Sequence, residues 1–493
     1  MKTSRSLVLF LLLLPLACCL KVQAAPATTT PEPTVAGIPG QGLEGHWLGS
    51  LKPMPGIELR LALEIVSTNA EKPEGFLISI DQGNSQAPIT ALVEHDGVVH
   101  LETKRNGGVF DGKLNGDGSE LAGEWKQGGS TWPLVFRRTD KAVSLAPPKR
   151  PQNPKRPYPY AEEEVVVENK AAGVTLAGTL TLPAGDGPHP AVVLITGSGA
   201  QDRDEALLGH RPFLVLADHL TRQGIAVLRC DDRGFGKSTG NFSQAIDADF
   251  VEDALAGVAF LRTRKEIDPR RIGLVGHSEG GIVAPRAAAK SLDVAFIVLL
   301  AGVGVPMEDL LLQQARDIAK VSGLSEERIA KNAALEREVF RILKSEKDPA
   351  EAEKAVRQTI REQMASLTDE QRQALGYSDA MLGAQIRMAL SPWFRDLLGY
   401  DPRPTLSALK CPVLAINGEK DMQVAAKENL SAIREALTAG GNRRVKTVEL
   451  PGLNHLFQAC QTGSPMEYSR IEETFNPAAL KLISDWIRET TAQ

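Results

Sequence analysis

Five stretches between residues 191 and 417 are runs dominated by apolar residues: AVVLI (191–195), IAVLRC (225–230), RIGLVG (271–276), FIVLL (296–300) and VLAIN (413–417). A strand with one wet face alternates apolar and polar side chains, whereas a continuous apolar run must be covered on both faces. Amphipathic and Ala-rich segments separate the runs, so from Val165 onward the chain reads as strand and helix in alternation. That order predicts an α/β fold, a mainly parallel sheet with helices on both faces. Residues 161–183 (EEEVVVEN, then VTLAGTLTLP) predict an antiparallel hairpin leading into the sheet. From Pro306 to about Leu409 the alternation stops, and charged, Gln-rich and Ala-rich amphipathic segments follow one another without a strand pattern. A loop of that length is implausible in a compact domain, so a helical cap at about 306–409 is expected within an α/β domain spanning 161–493.

The chain upstream has a different grammar. Between Gly45 and Arg138, short alternating runs are broken by glycine turns (HWLGSL, IELRLALEIV, GFLISI, ITALVEHDG, VVHLETKR, GVFDGKL, ELAGEWKQGG, WPLVFRR). Eight strands at this spacing predict a small all-β domain over 40–140, an antiparallel sandwich or barrel, with Trp47, Trp125 and Trp132 in its core rather than along a ligand groove. Residues 141–160 carry six prolines (Pro147, Pro148, Pro151, Pro154, Pro157, Pro159) among Lys149, Arg150, Lys155 and Arg156, the composition of an extended linker. At the N-terminus, Lys2 and Arg5 precede the apolar run Leu7–Leu20, and Val22-Gln23-Ala24 offers a cleavage site. Residues 1–24 therefore read as a secretory signal peptide, too short to span a bilayer, and the protein is expected to be periplasmic or secreted. Lipidation at Cys18 or Cys19 is the weaker reading, because Pro15 or Cys18 itself sits badly in the recognition sequence.

The charge balance, 56 cationic against 61 anionic side chains, gives no basic surface for phosphates, so a nucleic-acid partner is not expected. No other run approaches membrane-spanning length. Outside the leader only Cys230, Cys411 and Cys460 remain, too few for a disulfide framework. No His/Cys/Asp cluster has metal-ligand spacing, and GFGKSTG (234–240) lacks the phosphate-loop pattern, so neither metal nor cofactor is expected.

The chemistry concentrates at Gly276-His277-Ser278-Glu279-Gly280, placed directly after the run RIGLV and before the Ala-rich segment IVAPRAAAKSL. A serine hydroxyl needs a sharp strand-to-helix turn to be presented as a nucleophile, and glycines two residues either side permit that turn. A serine nucleophile needs a histidine base. Of the eight histidines, His46, His95 and His100 belong to the β domain, His189 precedes a strand, His210 and His219 fall at the first crossover helix, and His277 is in the turn itself. His455, in LPGLNHLF after the apolar run VKTVEL, is the one in a loop after a late strand. The acid should follow a strand between them, which favours Asp421 in VLAINGEKDMQV, with Glu419 and Asp309 as competitors.

Together GHSEGG, GEKDMQV, LPGLNHLF and LRCDDRGFGKSTG resemble the serine carboxylesterases of the α/β-hydrolase fold, in particular secreted bacterial esterases carrying an extra N-terminal domain, over residues 161–490. The resemblance implies Ser278 as nucleophile, Asp421 as acid, His455 as base and a small-molecule ester as substrate. It also places an oxyanion loop at ITGSGAQDRDE, where Thr196-Gly197-Ser198-Gly199 replaces the usual His-Gly; Ser198 and Glu279 are the expected backbone donors. The charged residues Asp202, Arg203, Asp204, Asp231, Asp232 and Arg233 are expected to brace these loops. Met307, Leu310, Leu311 and Trp393 are candidates for the cap's contribution to a pocket, with packing in the cap's own core the competing role for each. Two other readings stay open: a serine peptidase of the prolyl or aminopeptidase type, and an envelope- or carbohydrate-binding protein with an inactive hydrolase half.

Overall fold

The computed structural model describes residues 42–54, 57–69, 73–80, 85–103, 108–127, 130–140, 149–365 and 379–492. The segment read as a signal peptide lies outside the described residues, and so does the first part of the proline-rich segment, 141–148.

Strands β1 (Gly45–Met54), β2 (Ile57–Ser67), β3 (Glu74–Ser79), β4 (Ser85–His95), β5 (Val98–Thr103), β6 (Gly108–Leu114), β7 (Glu120–Gln127) and β8 (Ser130–Thr139) form an antiparallel meander that closes into a barrel. Closure is made by β1 against β8, with His46 opposite Thr139 and Gly49 opposite Phe136. The alternating pattern turns Trp47, Phe110, Trp125 and Phe136 inward, each at most 1% exposed. These rings fill the interior, as small barrels require. At Gly108 a Cβ would come 2.0 Å from the Trp125 ring, so the indole fits only over a residue without a side chain.

The second unit has an eight-stranded sheet in the order β16-β15-β14-β13-β11-β12-β10-β9. The hairpin β9 (Ala161–Asn169) and β10 (Val174–Leu182) pairs antiparallel, and β10 runs antiparallel to β12 (Ala226–Cys230). From β12 across β11 (His189–Ile195), β13 (Ile267–His277), β14 (Phe296–Leu300), β15 (Val413–Gly418) and β16 (Val445–Leu450) the strands are parallel. Helices α1 (Pro212–Arg222), α2 (Asp247–Arg262) and α3 (Gly280–Lys290) follow β11, β12 and β13. The apolar runs become strands whose residues are buried on both faces, all five of β14 among them. After β11 the chain moves to one side (β12) and then returns to the other (β13). Such a reversal opens a crevice at the carboxyl ends of the two strands, and the loops after β11 and β13 border it.

The interrupted region is helical: α4 (Met307–Val321), α5 (Glu326–Ser345), α6 (Pro349–Ala365), α7 (Asp379–Ala389), α8 (Pro392–Leu398) and α9 (Pro402–Ala408). The apolar stripes of α4 to α8 meet in one cluster around Val339, Phe340, Phe394 and Leu397, which extends onto Ile282 of α3 and Val424 after β15, whereas α9 sends Leu406 into the core beneath the sheet. The cap is therefore packed against the crevice rather than tethered beside it. Helices α10 (Ala426–Ala439) and α11 (Pro477–Thr491) complete the fold.

The linker reading needs amending after residue 149. Arg150 donates to the carbonyls of Ile471 (2.7 Å), Leu208 (2.8 Å) and Ser469 (3.2 Å), and burial lowers its pKa to about 10. Gln152 accepts from the N–H groups of Thr474 and Phe475 and donates to the Phe475 carbonyl. Proline composition signals an extended backbone, but an extended backbone also docks well when its side chains find buried carbonyls.

Candidate active site

Ser278 sits between β13 and α3 with φ +52°, a left-handed conformation that costs a residue with a side chain about 1–3 kcal/mol. Its N–H donates to the Leu300 carbonyl at 2.9 Å, which holds the turn against the neighbouring strand. The flanking glycines are required by close approach: a Cβ on Gly276 would lie 2.0 Å from the Gly280 carbonyl oxygen, and one on Gly280 would lie 2.3 Å from that of Ile195. The pattern GxSxG is thus explained by packing.

His455 and Asp421 come from the loops after β16 and β15. Asp421 Oδ2 lies 2.7 Å from His455 Nδ1, and Oδ1 accepts from the N–H groups of Gln423 (2.8 Å) and Val424 (2.9 Å). Both residues are buried, His455 at 4% and Asp421 at 5% exposure. Asn454 shapes the histidine turn: its carboxamide oxygen accepts from the N–H groups of Leu456 and Gln458, each at 3.0 Å. The competing acids are elsewhere. Glu419 is exposed and accepts from the Gly452 N–H, and Asp309 is exposed on the first turn of α4.

Ser198, Ser278, Glu279 and His455 all border one cleft of about 260 Å³. Gly197 is not available as an oxyanion donor, because its N–H is spent on Glu205 Oε1 at 2.8 Å. The Ser198 hydroxyl bonds to the Glu279 carboxyl. Glu279 caps the start of α3, so its own N–H has no carbonyl within that helix to satisfy it.

The charged residues near the loops act as braces. Arg203 grips Asp231 through Nε (2.9 Å) and Nη2 (3.0 Å) and reaches Thr179 and Glu164 through Nη1. Asp232 accepts from the Gln201 N–H and the Thr196 hydroxyl, both at 2.8 Å, and burial raises its pKa to about 8. Asp204 pairs with Arg229 and Arg211, and Arg233 with Asp249 and Asp253. The loop after β11 is in this way bolted to the loop after β12.

Met307, Leu310 and Leu311 belong to the cap's core and also line the cleft, together with Leu397. Trp393 does something else: its indole Nε1–H donates to Glu279 Oε1 at 2.7 Å, and its ring packs near Phe242 and Phe394. Glu279 Oε2 and Asp247 Oδ1 are buried without a donor, while the two carboxyls lie within hydrogen-bonding reach of each other. A single proton held between them would satisfy both oxygens, and burial followed by the Asp247 charge raises the Glu279 pKa in that direction. Three residues that sequence reasoning passed over, Glu205, His277 and Trp393 as an anchor, are therefore part of the site's framework. No spacing rule could have found Glu205, which meets His277 only across 72 residues of chain.

Residues 211–458 match the hydrolase family described as "Serine aminopeptidase, S33". Esterase EstD of Thermotoga maritima is 27% identical over 315 residues, covering 64% of this chain and 64% of EstD. Thiohydrolase aneE of Aspergillus aculeatus is 33% identical over 140 residues, 28% of this chain and 40% of that protein. The chain thus spans less than two thirds of the length of these curated relatives. Among solved structures, a Pyrococcus furiosus esterase aligns at 16% identity with a TM-score of 0.41, covering 70% of this chain and 97% of that one. Since the family match takes in half of the chain, including the strained Ser278 turn and both loops that meet at His455, this protein belongs to the serine aminopeptidase S33 family of hydrolases.

Proposed function

We propose that the protein is a serine esterase that cleaves small carboxylic esters through an acyl-enzyme intermediate. The observation that carries this reading is the Asp421–His455 contact of 2.7 Å behind a cleft that also holds Ser278 on its strained turn. In this reading His455 Nε2 takes the Ser278 proton as Oγ attacks the ester carbonyl, and Asp421 fixes the proton on Nδ1 and balances the imidazolium charge. The N–H groups of Ser198 and Glu279 hold the oxyanion. Collapse expels the alcohol, which takes the proton from His455; water then attacks the acyl carbonyl with His455 as base again, releasing the acid and restoring Ser278.

The same triad cleaves amides, and the family's name keeps the aminopeptidase alternative alive. An aminopeptidase needs a carboxylate free to grip the substrate's ammonium group. The carboxylates bordering this cleft have other partners: Asp202 accepts from the N–H groups of Asp204 and Ala206, Glu205 from Gly197, and Glu279 from Trp393. Beside the amides of Gln201, Gln314 and Gln423, the wall carries an apolar stretch of Ile282, Val303, Met307, Leu310, Leu311 and Leu397 that suits an acyl chain. A volume of about 260 Å³ is at the small end for ligand sites, which run from roughly 300 Å³ upward, and favours short chains. Rates on p-nitrophenyl acetate, butyrate and palmitate beside leucine and proline p-nitroanilides test the reading. Turnover of the short esters with none of the anilides is expected; the reverse would establish a peptidase. The signal-peptide reading of residues 1–24 places the enzyme outside the cytoplasm, and fractionation of cells expressing the full chain tests that.

A further inference from the structure

His277 is buried at 6% exposure beside the nucleophile, with an acceptor at each ring nitrogen. Nδ1 lies 2.8 Å from Glu205 Oε1, and Nε2 lies 3.1 Å from the backbone carbonyl of His455. Glu205 Oε1 in turn accepts from the Gly197 N–H at 2.8 Å. One continuous chain of hydrogen bonds therefore joins the oxyanion loop, the nucleophile turn and the histidine loop. A neutral imidazole has a single N–H and cannot donate at both ends. We infer that Glu205 and His277 form a clamp that holds one proton more than a neutral histidine beside an ionised carboxylate, and that this proton positions His455 and the oxyanion loop relative to Ser278. Both are positioning residues; neither touches the reacting atoms. The inference rests on the reading of His455 as the base.

The surroundings favour the charged ring. Burial alone would push the His277 pKa down, but the Glu205 charge and hydrogen bond, the His455 carbonyl and the Asp421 charge outweigh it and leave the pKa raised. The other groups facing the ring are the His455 imidazole, with centroids 4.8 Å apart, and the Phe457 ring at 6.4 Å. Asp232, which acts on Glu205 by repulsion, is itself pushed up to about 8, so near neutrality it adds little negative charge. With a raised histidine pKa, the clamp is intact at low and neutral pH and is lost as pH rises through that pKa. Deprotonation leaves one donor for two acceptors, and either the oxyanion loop or the histidine loop loses its tie.

Glu205→Gln keeps an acceptor for Gly197 but removes the charge that stabilises the imidazolium. The first readout is ¹⁵N NMR of histidine-labelled full-length protein, with His277 assigned by the resonances missing in His277→Gln. Protons on both ring nitrogens at pH 7 are expected in the wild type, and only one in Glu205→Gln. A single-proton His277 in the wild type overturns the clamp. Should Glu205→Gln fail to fold, the wild-type spectrum still decides. The second readout is kinetic: Glu205→Gln should lower kcat roughly 10- to 100-fold with little change in KM, as expected for a small misplacement of reacting groups, and should move the alkaline limb of kcat to lower pH. An unchanged kcat and pH profile contradicts the clamp. Because the NMR result needs no turnover, failure of the clamp is distinguishable from failure of the esterase reading.

Discussion

Asp421→Asn isolates the acid's role because the structure dictates which way an asparagine must face. In the wild type Oδ1 is pinned by two backbone donors, the N–H groups of Gln423 at 2.8 Å and Val424 at 2.9 Å, while Oδ2 meets His455 Nδ1 at 2.7 Å. An asparagine keeps its oxygen on the pinned side, since an NH₂ group there would oppose two N–H donors. Its NH₂ then faces Nδ1 and donates to it, which moves the imidazole proton to Nε2, the nitrogen that should accept from Ser278. The base is present but in the wrong tautomer. The expected loss is about 10³- to 10⁴-fold in kcat, or about 4–5 kcal/mol of transition-state stabilisation at about 1.36 kcal/mol per tenfold. KM should change little, because substrate contacts are untouched, and the melting temperature should fall by a few degrees at most, because both backbone donors keep their acceptor. Stopped-flow or plate kinetics on p-nitrophenyl butyrate, with a thermal melt as control, measures all three quantities. A folded variant that keeps more than a tenth of wild-type kcat would refute the tautomer argument. Glu419→Gln and Asp309→Asn, neither of which bonds to His455, should stay within a few-fold of wild type.

Three further outcomes follow from the geometry. Burial, then the Asp247 charge, raises the Glu279 pKa in the fold, so this carboxyl draws stability down as pH rises above the ordinary carboxyl range; Glu279→Gln should flatten the fall of melting temperature between pH 5 and 8, and an unchanged slope would show that folding does not raise this pKa. Gly276→Ala would drive a Cβ to 2.0 Å from the Gly280 carbonyl oxygen, so soluble, active protein from that variant would contradict the packing of the turn. A fragment beginning at residue 149 should melt higher than one beginning at 161, because only the longer one retains the buried contacts of Arg150 and Gln152; equal melting temperatures would return these residues to the status of a tether.

The parallel sheet and the sharp turn at Ser278 were legible because burial on both faces writes itself as continuous apolar runs, and because the glycines around Ser278 are forced by backbone contacts within a few residues. The loop that brings Asp421 to His455 was legible from its place just after a buried strand. The eight strands of the first unit could be counted, yet sandwich and barrel share one pattern; the choice depends on β1 meeting β8 about ninety residues later. The same limit hid the framework of the site. His277 was set aside as a mere member of its turn, Glu205 carried no signal, and Trp393 was read only as cap core or pocket lining, because each takes its role from a partner far away in sequence. The proline-rich segment misled for a different reason: composition reports the stiffness of a backbone and not whether its side chains find buried acceptors.

The central claim is that Ser278, and no other side chain, becomes acylated. A fluorophosphonate probe forms a stable phosphonyl adduct with a serine only where a base and an oxyanion site activate it. Intact-protein mass spectrometry of the labelled full chain, followed by peptide mapping, should show one adduct per molecule on the peptide carrying Gly276-His277-Ser278-Glu279-Gly280, and none in a folded Ser278→Ala variant. Absence of labelling in the wild type, or an adduct on a different residue, would contradict the account.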